Sequence, residues 1–322
     1  MGVGEYKEGY PTRTHKREKD FELPRRSKLP KAAFLIGTMV AVTQMAYRGG
    51  RADYFDIANR VEPVVRTASG LFQGEKSPGD VAKAIIEKNP TYFNLVYPGL
   101  SGEDLENAKE QVIEASQLSL DLGRISRTLK YEGQIREIAR EQGVPEELFL
   151  GFVAYESEGY PDSVGPVGER GFTQMTAEMA NRYGLQTSEG EGDERFDPGK
   201  ILPASAEELK GYYDKFGNWG LAFQAWNVGE PQLYELLNIY FDNAHNEYLP
   251  SIEETPESEV PEVIKQYKDK IEEHGVTVYQ LFNNSQVQIA IAGSGFAGTD
   301  WYVPRIAGAA AAVEGFKTIA KS

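Results

Sequence analysis

Glu156 is the residue whose type and spacing say most about chemistry. It lies four positions after Phe152 and three after Val153, so in a helix it projects from the same face as those apolar side chains. That helix starts at Pro145, a favoured first-turn residue, and Glu146 and Glu147 follow at its positive end. Gly159-Tyr160-Pro161 ends it about one turn beyond Glu156. A carboxylate on an apolar face is costly unless it is neutralised or satisfied. Desolvation raises its pKa, which is what a general acid working near neutral pH requires. Position alone leaves a second possibility open, a buried ion pair with an arginine such as Arg170.

Gly165-Pro166-Val167-Gly168-Glu169-Arg170-Gly171-Phe172-Thr173-Gln174 follows, with three glycines and one proline in a short stretch. Such density marks a backbone in unusual dihedrals or one that a ligand approaches closely. Gln174 then opens a helical run through Met175, Met179 and Tyr183. An acid at a helix end, a tight glycine loop and an amide side chain suit a polar polymer lying across a cleft. Composition narrows the alternatives. The 322 residues contain no cysteine, which excludes thiolate metal sites, cysteine nucleophiles and disulfide scaffolds. His15, His245 and His274 are the only histidines, too few for a multi-histidine metal site. A net charge of -15 disfavours a nucleic-acid binder, which needs a basic face. The chemistry must come from carboxylates and hydroxyls, with no cofactor and no metal.

From Glu156 the chain reads E-S-x3-P-x4-P-V-G-x2-G-x2-Q without a gap, and this resembles the first signature of the lytic transglycosylases, lysozyme-like enzymes that cleave peptidoglycan. More matches follow in family order. Phe196-Asp197-Pro198 resembles the element before the next helix, Ala225-Trp226-Asn227-Val228-Gly229 the A-Y-N-A-G signature, and Trp301-Tyr302-Val303-Pro304 the closing Y-V element. The resemblance covers about 129–229 and 299–321, well under half of the chain. It implies Glu156 as the single catalytic acid/base, with Ser157, Gly168, Gly171, Gln174, Thr176, Trp226, Asn227 and Tyr302 along the substrate. The chain departs from the family at Gly165, where a serine is usual, at Thr176, often a methionine, and at Glu169 and Arg170, usually small. The departure that matters most is Trp226, in place of a tyrosine whose hydroxyl assists the catalytic glutamate. An indole keeps a stacking surface and one donor but accepts no hydrogen bond. Tyr302 is a candidate to supply the missing hydroxyl.

The implied reaction uses one carboxylate where ordinary glycosidases use two. Glu156 protonates the β-1,4 glycosidic oxygen between MurNAc and GlcNAc, and then takes the proton of the sugar's own C6 hydroxyl, leaving a 1,6-anhydro ring. A second carboxylate at about 6.5–9.5 Å would instead make a hydrolytic, inverting muramidase. Glu158, Asp162, Glu169 and Asp197 are the candidates, although Asp197 suits a helix cap. A third reading is a catalytically weakened glycan-binding or scaffold protein, motivated by Gly165, Thr176 and Trp226.

Periodicity predicts an all-α protein, and the resemblance implies a lysozyme-like catalytic domain over 129–322 that contains an insertion at about 231–298. Ser205 and Glu208 look like a capping box for a helix to Phe216. Within the insertion, 233–248, 263–273 and 276–292 read as helices. Residues 251–262, with five glutamates and two prolines, read as an exposed loop, and His245 and His274 as surface residues. Residues 50–128 read as a helical spacer or packing region, with one long helix from Leu105 to about Lys130. Residues 1–31 form a basic tail of nine Lys/Arg against five Asp/Glu. After it, 32–47 has no charge in 16 residues. That length falls between a secretory apolar region of about 7–15 residues and a membrane-spanning helix of about 20. With its basic flank it reads as a signal-like or membrane-anchor helix, which places the body of the protein in the cell envelope outside the cytoplasm. A buried core helix is the alternative.

Overall fold

The computed structural model describes residues 78–88, 91–119, 122–188, 192–294 and 298–320. The basic tail, the apolar segment 32–47 and the whole of 50–77 lie outside them. Among the described residues there is no strand, and fourteen α-helices follow one another. They are α1 (Pro78–Lys88), α2 (Thr91–Val96), α3 (Gly102–Ser119), α4 (Leu122–Leu129), α5 (Glu132–Gln142), α6 (Glu146–Ser157) and α7 (Ala177–Arg182). The rest are α8 (Pro198–Phe216), α9 (Trp219–Val228), α10 (Glu230–His245), α11 (Val260–His274), α12 (Val278–Asn283), α13 (Ser285–Ser294) and α14 (Tyr302–Ala320). None of these helices is long and apolar enough to cross a membrane.

The two helices that build the site are buried on nearly all sides. On α6, Leu148, Phe149, Leu150, Phe152, Val153 and Ala154 are all inaccessible to solvent. Each buried Leu, Val or Phe contributes about 1.5–3 kcal/mol relative to exposure. α6 packs on α14, whose Ile306, Ala307, Ala309, Ala310, Ala311, Ala312 and Val313 are buried in turn. The alanine-rich sequence of α14 is explained by its neighbours, since α1, α3 and α6 all lie against it. Two glycines permit the closest approaches. A Cβ on Gly151 would stand 2.6 Å from both Ala310 N and Ile306 O. A Cβ on Gly308 would stand 2.9 Å from Val112 O of α3. The helices at 78–119 therefore share one core with the residues from 129 onward.

Several boundaries differ from the sequence expectation, each for a local reason. The helix expected from Leu105 to Lys130 is two, α3 and α4. α8 begins at Pro198, seven positions before Ser205, because the Asp197 carboxylate caps Gly199 N–H at 2.8 Å. It runs through Pro203 while burying Ile201 and Leu202. Ser205 is therefore no cap. It is buried mid-helix, donating to Ile201 O at 2.8 Å and pairing with Thr173 Oγ1 at 2.7 Å. The run 276–292 is helical but broken at Asn284 into α12 and α13. His245 and His274 stack on each other, ring centroids 3.7 Å apart, at the ends of α10 and α11.

Candidate active site

Glu156 lies in the last turn of α6, half-buried. Its neighbour Tyr302 is the first residue of α14 and is only 4% exposed. The Tyr302 hydroxyl donates a short hydrogen bond to Glu156 Oε1. Burial pushes the Glu156 carboxyl up from an ordinary 4.5 to about 8. The Tyr302 hydrogen bond pulls the other way, and the negative charge of Glu169 adds to the rise. Burial dominates because an apolar surround withdraws the water that would solvate the anion. Tyr302 is itself held well above its ordinary value, by burial first and by the Glu156 charge second, so it stays a proton donor. The Tyr155 ring stands edge-on to Tyr302, centroids 5.4 Å apart, with its own hydroxyl receiving Arg305 Nη1 at 3.2 Å.

Tyr302 is positioned by a side-chain network at the end of α9. Gln224 Nε2 donates to Thr299 Oγ1 at 2.7 Å, and Thr299 Oγ1 donates to Asn227 Oδ1. Thr299 opens the short 3-10 turn that leads into α14. Asn227 is exposed, so it is open to a ligand as well as bracing that turn. Trp226 is buried and packs edge-on against Phe152, centroids 5.2 Å apart, one turn before Glu156 on α6. The hydroxyl that meets Glu156 is thus Tyr302's, and the indole is part of the packing beneath the Glu156 turn.

The turn after Glu156 is gripped from α4, a role the sequence reading missed. Glu158 takes a left-handed backbone, φ 54°. Arg124 Nη2 holds its carboxylate at 2.5 Å and Arg127 Nε holds its carbonyl at 2.9 Å. Gly159 is required here, since a Cβ would meet Thr128 N at 2.7 Å. Ser157 is 1% exposed and its hydroxyl donates back to Val153 O at 3.1 Å, so it braces the helix end and offers nothing to a ligand.

The glycine loop closes on a buried ion cluster. Arg170, considered above as a partner for Glu156, instead binds Asp193 Oδ2 at 2.6 Å. Arg195, 3% exposed, donates to both oxygens of Asp193 at 3.0 and 2.8 Å, and to the carbonyls of Gly168 and Met175 at 3.0 and 3.1 Å. Burial alone would raise the Asp193 pKa, but these hydrogen bonds outweigh it and hold the carboxyl below its ordinary range. Gly171 has φ 77° and no room for a side chain, its missing Cβ falling 1.9 Å from Arg195 O. Gln174 does not open a helix. Its φ is 51°, and its Nε2 spans Gly171 O at 2.8 Å and Ser163 O at 3.3 Å, locking the loop across its neck. Thr176 caps α7, its hydroxyl receiving Met179 N–H at 3.2 Å. Gly168, φ 95°, is exposed with open space around it.

At Gly165 a Cβ would fall 2.4 Å from Glu169 Oε2 and 2.8 Å from Gln174 Oε1. Glu169 thus folds back over Gly165, its carboxylate receiving Val167 N–H at 3.1 Å. The two departures from the usual loop are one feature: the long acid fills the space that the absent side chain leaves.

Residues 133–248 match the family described as the transglycosylase SLT domain. Over those residues the chain is similar to that family. Over 104 residues, 32% of the chain, it is 32% identical to the peptidoglycan transglycosylase gp16 of Escherichia phage T7. The match spans 8% of that phage protein. The all-α, lysozyme-like class expected from the sequence is the one found. Glu156, the glycine loop and Asn227 fall inside the matched residues of the SLT domain, while Tyr302 comes from beyond them, on α14. Outside the SLT domain's loop, Glu247, Glu273 and His274 place possible ligand atoms within 4.8 Å of one another. Lys270 already bridges the two carboxylates at 3.0 and 2.8 Å, supplying the positive charge a metal would bring.

Proposed function

We propose that this chain is a peptidoglycan lytic transglycosylase with Glu156 as its only acid/base. The observation that carries the reading is Glu156 itself, a carboxyl kept protonated to about pH 8 beside the Tyr302 hydroxyl in an SLT domain. Protonated Glu156 gives its proton to the glycosidic oxygen as the bond from the MurNAc anomeric carbon breaks. The carboxylate so formed, steadied by Tyr302, takes the proton of the C6 hydroxyl while that oxygen bonds to the anomeric carbon. Glu156 ends the cycle protonated, and no water is consumed. The exposed backbone at Gly168 and the Asn227 side chain are the groups offered to the glycan. Gly171, Gln174 and Thr176 shape the loop, and Trp226 supports the turn beneath Glu156.

The hydrolytic alternative needs a second free carboxylate. Glu158 is engaged by Arg124, and Asp197 caps α8. Glu169 is the acid whose charge reaches Glu156, so it is the candidate for activating a water. Digestion of purified peptidoglycan followed by mass spectrometry separates the readings. Anhydro ends are expected, reducing ends would assign hydrolysis, and Glu156→Gln should abolish cleavage with the fold intact. Binding without any product would leave a glycan-binding protein. A glycan substrate places the reaction in the cell envelope, and attachment through 32–47 is part of the same proposal.

A further inference from the structure

The acidic segment between α10 and α11 is pinned in place. Asn238 of α10 clamps Leu249 in both directions, donating to its carbonyl at 3.0 Å and accepting from its N–H at 3.2 Å. Tyr267 of α11 donates to Pro250 O at 3.1 Å, and Thr255 Oγ1 donates to Ser251 O at 2.6 Å. Held by these bonds, the segment leaves a cavity of about 350 Å³ against α10. That is large enough for a small ligand, whose sites run from about 300 to 1,000 Å³.

The lining is aromatic and acidic. Tyr234 and Tyr267 meet edge to face at 4.8 Å in its buried part, and Tyr248 stands at the mouth, 73% exposed. Glu235, Asp242 and Glu253 contribute three carboxylates, and no lysine or arginine lines the cavity. Among the described residues no cation pairs with these acids, and Glu235 receives only the Gln232 amide, at 2.7 Å. The Tyr234 hydroxyl is buried with no hydrogen-bond partner. The wall therefore holds an excess of acceptors: the Asn238 amide and the Tyr267 hydroxyl already donate elsewhere, and only hydroxyls, each of them an acceptor too, remain beside the three carboxylates. A sugar needs donors as well as acceptors. An ammonium group has three donors and no acceptor, and it is attracted by both carboxylates and aromatic faces.

We propose that this cavity is a second ligand site for a primary ammonium on a short aliphatic chain, the side-chain amine of a diamino acid in the peptide attached to the glycan strand. The choice of the wall peptide as source rests on the function proposed above. The amine chemistry does not.

The test uses the full chain and calorimetric or NMR titration with Nα-acetyl-lysine amide, its Nε-acetylated form and N-acetylglucosamine. The free amine should bind, more weakly as salt rises, and acetylation should remove binding. Asp242→Asn combined with Glu253→Gln should weaken it about ten-fold, with Glu156 chemistry on short glycans unchanged. Equal binding of the two lysine probes, or binding of the sugar in their place, would overturn the site. In a second arm, peptidoglycan with its free amines acetylated should show a raised KM for the natural chain and no further change for the double variant. Unchanged KM would overturn the wall-peptide source and leave a free polyamine. A chain that binds the amine but cleaves no peptidoglycan would refute the enzymatic reading and leave the amine site standing.

Discussion

Tyr302 donates its hydroxyl to Glu156 across 146 positions of sequence, joining the first turn of α14 to the last turn of α6. The bond favours the charged carboxylate, while burial favours the neutral acid, and burial wins. The reaction proposed above needs both forms in one turnover, the acid to break the glycosidic bond and the base to accept the C6 proton. Tyr302→Phe should remove the support for the base. A hydrogen bond to a charged group is worth about 1.5–3 kcal/mol, so the rate should fall by roughly 10- to 100-fold. The basic limb of the pH–rate profile should also move above its natural position near pH 8. A profile that stays put while the rate falls would remove Tyr302 from direct contact with Glu156.

The same carboxyl sets how stability varies with pH. Its pKa is raised on folding, so its contribution is complete below the ordinary value of 4.5 and is lost as pH climbs toward about 8. Near neutral pH the folded protein carries a penalty on the order of 3 kcal/mol for holding this group neutral. Glu156→Gln should therefore be inactive yet more stable than the natural chain at pH 8, with the gain vanishing at pH 4. Thermal melts of the two proteins across that range measure it, and equal melting at pH 8 would contradict the burial argument.

Glu169 and Gly165 should behave as a unit. Removing the charge in Glu169→Gln takes away one cause of the raised Glu156 pKa, so the basic limb should shift to lower pH. Gly165→Ser puts a side chain where the Glu169 carboxylate lies, 2.4 Å from the Cβ, and must swing that flexible acid aside. It should shift the profile in the same direction or disturb the loop. With Glu169→Ala in the same chain the serine has room, and the two changes should be less than additive, by about 0.5 kcal/mol or more. Strict additivity of their effects on melting temperature and rate would show that the two positions do not share that space.

What the sequence disclosed about this site follows from locality. Glu156 is legible because Phe149, Phe152 and Val153 lie within two turns of it, and the loop because Gly165, Gly168 and Gly171 recur at every third position. The Tyr302 contact was open only as a candidate, since nothing local ties a residue in α14 to one in α6. Asp193 and Arg195 sit in a polar run, where an acid and a base two apart look solvated. Only the fold reveals that both are buried beneath Gly168 and Met175. The Ser205 cap failed for a related reason: Asp197 and Pro198 offer an earlier start, and tertiary burial of Ile201 and Leu202 carries the helix through Pro203. The stacked histidines likewise needed the pairing of α10 with α11, which no spacing announces.

Gly151 ties this packing to the chemistry. It lies five positions before Glu156, at the closest approach of α6 to α14, where a Cβ would meet backbone atoms of Ala310 and Ile306 at 2.6 Å. Neither obstacle is a flexible side-chain end, so Gly151→Ala must separate the two helices. Overpacking of this kind costs about 1–3 kcal/mol. The separation acts on the pair that holds Glu156 and Tyr302, so turnover should suffer more than stability. We expect a fall in kcat of at least about ten-fold at a temperature where circular dichroism shows the variant still folded. Gly133→Ala, at a position with nothing within 4 Å of a Cβ, serves as the control and should leave both properties unchanged. If Gly151→Ala melted lower but kept full kcat, the helix contact would matter for the fold and not for the placement of Tyr302.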